Sequence, residues 1–408
     1  MRALNDAAAG ADARRREPAW ARPLLRGLSS LWRHGELTLI GPDGVVRTIG
    51  TATPGQGADD RPVWRVRRWR ALGRMVARGD VGFAEGYIAG DWDTPDLTGL
   101  LLAFAANYDA LDRVTGGTVL WRGVNLLRHA LSRNSRQGSR RNIVAHYDLG
   151  NDFYSRWLDP GMTYSAALFE DPSATLEQAQ TAKYAALARA ADLKPGQSVL
   201  EIGCGWGGFA EYMAREIGVH VTAITLSPAQ KAWAERRIAA QGLSDRVTVR
   251  LVDYRDVVGR FDRIVSVEMF EAVGEAYWPV FFQRIRALLA PGGVAGLQII
   301  TIRDELFEDY RGRPDFIQLH VFPGGMLPSE SRLFDQMASS GLAGRVIRRF
   351  GVDYAETLRL WRAAFEARRA HEAAQFDERF RRLWLYYLCY CEAGFRSGRT
   401  DVVHVRVE

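Results

Sequence analysis

The stretch Glu201-Ile202-Gly203-Cys204-Gly205-Trp206-Gly207-Gly208 decides the fold. It follows a short aliphatic run, Ser198 to Ile202, that reads as a buried strand, and it opens a helical pattern from Gly207 to Ile217. Glycines at such a turn let the backbone approach a ligand closely, and the first turn of the helix presents unpaired N–H groups to it. Gly203, Gly205 and Gly208 also satisfy the dinucleotide pattern G-x-G-x-x-G. That pattern requires an acidic residue about 20 positions later, at the end of the second strand, to hold a ribose. Here the second strand ends in Ile224-Thr225-Leu226-Ser227, with no carboxylate. The acid precedes the glycines, at Glu201, where it suits a cationic ligand and would repel a pyrophosphate.

Outward from this loop the chain alternates strand and helix. Strands are expected at Ser198–Ile202, His220–Thr225, Val247–Val252, Arg263–Val267 and Gly296–Ile302, with helices at Pro228–Gln241 and Ala276–Leu289 between them. Four such units in succession predict an α/β fold with a parallel, doubly wound sheet and helices on both faces. Val402 to Val407 alternates and predicts a late antiparallel strand. Upstream, Leu37–Ile40 and Val45–Ile49 flank Gly41-Pro42-Asp43-Gly44 and predict a β-hairpin. Val63 to Val76 mixes Trp64 and Trp69 with Arg65, Arg67, Arg68, Arg70 and Arg74, as an edge strand or short helix at a lipid headgroup layer would, or a solvated basic face. The expected organisation is an unstructured 1–20, a small N-terminal domain over 21–125, a basic linker over 126–142 and the α/β domain over 143–408.

Charge is uneven. Residues 1–142 hold 22 arginines and 14 acidic residues, a net of +8 in a chain of net +6. A basic first third favours an anionic partner, either a membrane surface or nucleic acid. No apolar run approaches the ~20 residues of a spanning helix, and no signal-peptide pattern follows Arg14-Arg15-Arg16, so a cytoplasmic, peripheral protein is expected. Cys204, Cys389 and Cys391 form neither a disulfide framework nor a metal cage.

Glu201 to Gly207 resembles the cofactor motif of Rossmann-like class I methyltransferases. A more specific resemblance lies around it. His146-Tyr147-Asp148-Leu149-Gly150-Asn151-Asp152-Phe153-Tyr154, Leu158-Asp159-Pro160 and Tyr164-Ser165 are similar to the entry segment of the cyclopropane fatty acid synthase and mycolic acid methyltransferase family. Thr225 to Gln230, Asp253 to Asp256, Met269 to Gly274, Phe322 to Ser329, Asp353-Tyr354 and Tyr387 to Phe395 continue the likeness in the family's order. The basic first third is similar to the N-terminal lipid-engaging domain of bacterial two-domain synthases.

The resemblance implies transfer of the methyl carbon of S-adenosylmethionine to the double bond of an unsaturated phospholipid acyl chain, with closure to a cyclopropane. Tyr164, Ser165, Glu201, Gly203, Gly205, Gly207, Thr225, Leu226, Gln230, Asp253 and Tyr254 are the implied cofactor contacts. Methyl addition leaves a cation on the chain, which the rings of Tyr164, Phe169, Phe270, Tyr354 or Tyr387 could face. The family's base is a bound bicarbonate gripped by a Glu, a His, a Tyr and backbone groups. Carried over, the Glu is Glu271 and the Tyr is Tyr354; Glu268, one turn earlier, is read as a surface acid. Two-domain members are often dimers, so a homodimer is implied as well.

Two positions depart from the family. Ala166 replaces a Cys after Tyr-Ser, harmless where the backbone N–H does the work. Gln298 stands where the family has His, and it cannot titrate near neutral pH. Bicarbonate binding is then weakened or rearranged, and His320, in Leu319-His320-Val321-Phe322, is the replacement candidate. Proton loss elsewhere would give a methylene- or methyl-branched or furan-type chain, so that outcome stays open beside ring closure. A nucleic-acid methyltransferase would need a target-base signature such as Asn-Pro-Pro-Tyr or Pro-Cys. Neither is present, and nucleic acid is not an expected partner. A non-catalytic lipid binder would not need the intact glycine loop.

Overall fold

The computed structural model describes residues 16–52, 61–115, 138, 150–368 and 376–408. The expected linker 126–142, Gly138 apart, and His146 to Leu149 lie outside the described residues, as do residues 1–15 of the segment 1–20 expected to be unstructured. Two compact units are present, 1–127 with 369–397, and 128–368 with 398–408.

In the first unit, β1 (Glu36–Ile40) and β2 (Val46–Gly50) form the expected antiparallel hairpin. With β3 (Val63–Val66) and β4 (Trp92–Asp93) they make a four-stranded sheet of order β2-β1-β3-β4. β3 is therefore an interior strand, correcting the edge-strand reading. Its tryptophan explains why: Trp64 is fully buried and meets Phe83 at 5.4 Å and Phe104 at 5.6 Å. Arg68, Arg70 and Arg74 converge on the buried carboxylate of Asp91, at 3.1, 2.7 and 3.5 Å, and Arg67 pairs with Asp93 at 2.8 Å. Trp64 and Trp69 thus build the interior of this unit, while Arg65, Arg67, Arg68 and Arg70 stay exposed, as the solvated basic face of the sequence reading has them. Helix Glu378–Arg396 belongs here and not with the α/β sheet, unlike the contiguous 143–408 expectation. Arg382 holds it by donating to the carbonyls of Tyr87 and Trp92, at 2.6 and 2.9 Å, while lying 3.9 Å over the Tyr87 ring.

The second unit is the doubly wound α/β domain. Its strands are β5 (Ser198–Ile202), β6 (His220–Thr225), β7 (Val247–Leu251), β8 (Phe261–Val267), β9 (Leu289–Ile302), β10 (Gly344–Arg349) and β11 (Thr400–Val407), in the order β10-β11-β9-β8-β5-β6-β7. β5 to β9 run parallel, and β11 is antiparallel to both β9 and β10. β10, absent from the sequence reading, exposes most of its arginine-rich face. The parallel strands are buried on both sides, and period-two alternation sorts their side chains between two cores. Leu200, Ile202, Leu297, Ile299, Val403 and Val405 pack with Phe281, Phe282 and Ile285 of helix Trp278–Leu288. Val199 and Val265 pack with Leu187 and Ala188 of helix Leu176–Ala190. The residues in the opposite phase to Leu200, Leu297 and Val403 are Glu201, Gln298 and His404. Three polar side chains are thereby placed against the second core.

Candidate active site

Ligands of open α/β sheets sit beyond the carboxyl ends of the strands, where the winding direction reverses. In this sheet that point lies between β5 and β8. Gly203 leaves β5 there, Glu268 ends β8, and Gln298 lies beside it on β9, where its carbonyl accepts the Glu268 amide at 2.9 Å.

The glycine loop has the backbone that its composition predicts. Gly203, Gly205 and Gly207 all have positive φ, at 84°, 52° and 84°. A Cβ at Gly203 would lie 2.8 Å from Met269 Cγ, whereas the side of Gly205 opens on free space. Thr225 donates to Gln230 Oε1 at 2.8 Å, and Ser227 caps helix Pro228–Ala240. Leu226 lies half-buried between them.

Glu201 is 2% exposed, and its Oε2 has no hydrogen-bond partner among the described residues. Burial raises its carboxyl to about 8, against the attraction of Lys183. Lys183 is wholly buried, donates to Ser165 Oγ at 2.6 Å and lies 4.5 Å from the Tyr184 ring centre. Desolvation lowers its ammonium to about 8, although Glu268, Asp159 and Glu201 favour the charged form. An open glycine cradle beside a buried, unsatisfied carboxylate oxygen fits the cationic amino-acid end of S-adenosylmethionine.

The carboxylate at the centre of the site is Glu268, which corrects its reading as a surface acid. Its Oε1 accepts from the Ala166 amide at 2.8 Å and from Gln298 Nε2 at 2.7 Å; its Oε2 accepts from the Tyr354 hydroxyl at 2.8 Å. Its φ of 47° is left-handed, a conformation costly for any residue with a Cβ and concentrated at functional sites. Burial raises its pKa, opposed by the Ala166 amide, Lys183, Gln298 and Tyr354. Glu271 takes the Ile300 amide on Oε1. Burial first, then the charge of Glu268, lifts it to about 8.

Gln298 is 1% exposed and is held from behind by His404 Nε2, 2.9 Å from its Oε1. Burial drives the His404 imidazole down to about 3, so it is neutral.

Aromatic rings join the loop to this carboxylate. From Trp206 the chain of contacts runs to Tyr154 at 5.2 Å, Tyr164 at 5.4 Å, Trp361 at 5.4 Å and Tyr354 at 6.0 Å.

The remaining expected residues have these contacts. Asp253 accepts from the Arg255 amide and guanidinium, at 3.0 and 2.6 Å, and Tyr254 packs in the core on Phe281. Phe270 is likewise core, between Trp278 and Phe281. Phe169 offers its amide to Asp353, Tyr387 packs on Trp384 in the first unit, and His320 ends helix Phe316–His320 with its ring on Phe316.

Lys183, His404 and Trp361 were not read as site residues. Lysine is rare in this chain, three among 54 basic residues, and that scarcity was the available signal for Lys183. For Glu268 the signal was its place at the carboxyl end of a central strand.

The family model described as mycolic acid cyclopropane synthetase matches residues 134–405. The chain is 42% identical over 373 residues to the tuberculostearic acid methyltransferase UfaA1 of Mycobacterium tuberculosis, covering 88% of this chain and 86% of that one. It is 37% identical over 337 residues to the cyclopropane-fatty-acyl-phospholipid synthase of Escherichia coli K12, covering 82% and 84%. The solved cyclopropane synthase MmaA2 of M. tuberculosis superposes with a TM-score of 0.61 at 33% identity, over 66% of this chain and 97% of that one. The cyclopropane synthase CmaA1, complexed with SAH and CTAB, gives 0.61 at 32% identity over the same shares. The match over residues 134–405, joined to the glycine loop and buried carboxylates, shows that the chain belongs to the mycolic acid cyclopropane synthetase family and is an S-adenosylmethionine-dependent methyltransferase.

Proposed function

We propose that this lipid methyltransferase acts on the double bond of an unsaturated fatty-acyl phospholipid and closes a cyclopropane. The observation that carries the reading is the enclosed Glu268–Tyr354–Gln298 cluster at the switch point, joined to the glycine loop by a run of aromatic rings. Bound S-adenosylmethionine would supply an electrophilic methyl group. An isolated alkene is a weak nucleophile, so the residues must align it and exclude water. Tyr154, Tyr164 and Trp361 offer ring faces to the cation that methyl addition leaves on the chain. Glu268, with Tyr354 and Gln298 fixing its orientation, offers the carboxylate that accepts the departing proton. The net charge of +8 over residues 1–142 supplies attraction to an anionic bilayer that presents such chains.

A second reading, methylation without ring closure, draws on two observations. Gln298 cannot take part in proton transfer as a His can, and the 42% identical relative is named a tuberculostearic acid methyltransferase and not a cyclopropane synthase. Incubation with S-adenosylmethionine and liposomes of monounsaturated phospholipid, followed by gas chromatography–mass spectrometry of the fatty-acid methyl esters, tests both. A gain of one CH₂ in a product without an olefin supports ring closure. The same gain with a surviving double bond supports the second reading, and no product on any unsaturated lipid overturns the substrate class.

A further inference from the structure

The hydrogen-bond donors that a bound bicarbonate would need are already engaged in this protein. The resemblance assigns that anion to a Glu, a His, a Tyr and backbone groups. Here the Ala166 amide, the residue at the His position (Gln298) and Tyr354 all donate to one internal carboxylate, that of Glu268. A bicarbonate would have to compete for the same three donors with a carboxyl group of the protein that already holds all of them. The site therefore does not fit bicarbonate.

We propose that Glu268 is the built-in proton acceptor of the reaction, taking the place of a bound bicarbonate, so that turnover does not depend on that anion. This deepens the function proposed above and rests on it. After methyl addition a C–H bond of the acyl chain breaks. Its electron pair stays on carbon and forms the bond that quenches the cation, either the third side of the ring or a new double bond. The proton goes to Glu268. Oε1 already accepts two hydrogen bonds, whereas Oε2 accepts one, from Tyr354, so Oε2 has the remaining lone pair.

The backbone points the same way. At φ 47° a side chain is strained in a way that glycine would not be, and the carboxylate sits there all the same. Lys183 stabilises its charge, and the Glu271 carboxyl beside it is held neutral.

The test uses the full chain in buffers purged of carbon dioxide, with and without added sodium bicarbonate, and the variants Glu268→Gly and Glu268→Gln. Methylated lipid is measured by mass spectrometry, ¹³C-bicarbonate binding by NMR, and folding by thermal melting. The wild-type rate is expected to be the same with and without bicarbonate. Glu268→Gly should lose on the order of 100-fold in its absence, and bicarbonate should restore at least roughly tenfold. Glu268→Gln should be impaired and not rescued. ¹³C-bicarbonate should bind Glu268→Gly and not the wild type. A wild-type rate that requires bicarbonate, full activity in Glu268→Gln, or bicarbonate binding by the wild type that Tyr354→Phe removes would each overturn the proposal. Should the wild type methylate no unsaturated lipid, the substrate reading falls, and the binding comparison still decides whether Glu268 holds the anion's place.

Discussion

The Tyr354 hydroxyl donates to Glu268 Oε2 at 2.8 Å, joining residues 86 positions apart in the chain. It orients the oxygen that has a lone pair to spare, and it stabilises the charged carboxylate. Tyr354→Phe keeps the ring, and with it the packing on Trp361. The variant should fold normally and lose roughly 10²-fold in kcat, with KM for S-adenosylmethionine little changed, because the glycine loop is untouched. Steady-state kinetics on liposome substrate check this. Equal losses in kcat and cofactor affinity would place Tyr354 in cofactor binding instead.

Glu271 should make the folded state weaken as pH rises toward 8. Burial lifts its carboxyl from 4.5 to about 8. Between those values the native protein binds more protons than the unfolded chain, so the slope of stability against pH is negative. The contribution is complete below about pH 4.5 and lost as pH rises through about 8. His404, lowered from 6.5 to about 3, acts mainly below pH 6.5, and Lys183, lowered from 10.5 to about 8, mainly above pH 8. Urea unfolding between pH 6.5 and 8 sets His404 and Lys183 aside and reads the buried carboxyls, Glu201 and Glu271 among them. Glu271→Gln should make the decline shallower by up to about 1.4 kcal/mol per pH unit. Identical slopes in wild type and variant would show that Glu271 is ionised in the native protein.

The parallel sheet was legible because fully buried strands leave short aliphatic runs, and β5 and β6 fall where those runs predicted. β10 was not, because Gly-Arg-Val-Ile-Arg-Arg is an arginine-rich edge segment whose partner, β11, lies more than 50 residues later. The glycine loop was legible for the same reason that it works: only glycine adopts its backbone cheaply. Glu268 was misread because nothing in its neighbours shows that Ala166, Gln298 and Tyr354 meet there, each coming from a different element. The pairing of Asp253 with Arg255 was open to reading, since the two lie only two residues apart. In the Arg–Trp segment composition marked a basic, exposed face, but it did not reveal that Asp91 pairs with three of its arginines.

Gly203 and Gly205 should respond differently to alanine. Both have positive φ, so each substitution carries a backbone cost of roughly 1–2 kcal/mol. At Gly203 the new Cβ also meets Met269 at 2.8 Å, beside the turn that carries Glu268 and Glu271, whereas at Gly205 it enters open space. Gly203→Ala should lower both Tm and kcat. Gly205→Ala should lower Tm less and weaken S-adenosylmethionine binding, since the open space is where a ligand would approach. Thermal melts with calorimetric titration check the pair. Equal effects on all three quantities would mean that the loop responds to backbone strain alone.

Binding of S-adenosylmethionine should strengthen with pH. In the free protein burial holds the Glu201 carboxyl at about 8, so it is mostly neutral at pH 7, and its Oε2 has no partner. A cationic ligand beside it favours the carboxylate, and the pKa falls on binding. The bound state then holds fewer protons than the free state, so a proton is released and affinity rises with pH until the free carboxyl is itself ionised. The limit for one group is tenfold per pH unit, about 1.4 kcal/mol. Glu201→Gln keeps the shape and removes the titration, and it should bind more weakly with a flat profile between pH 6 and 8. Isothermal titration in two buffers of different ionisation enthalpy measures the released proton directly. No proton release by the wild type would mean that Glu201 is already ionised in the free protein, and that Lys183, with Ser165 Oγ 2.6 Å from its Nζ, holds that charge before the cofactor arrives.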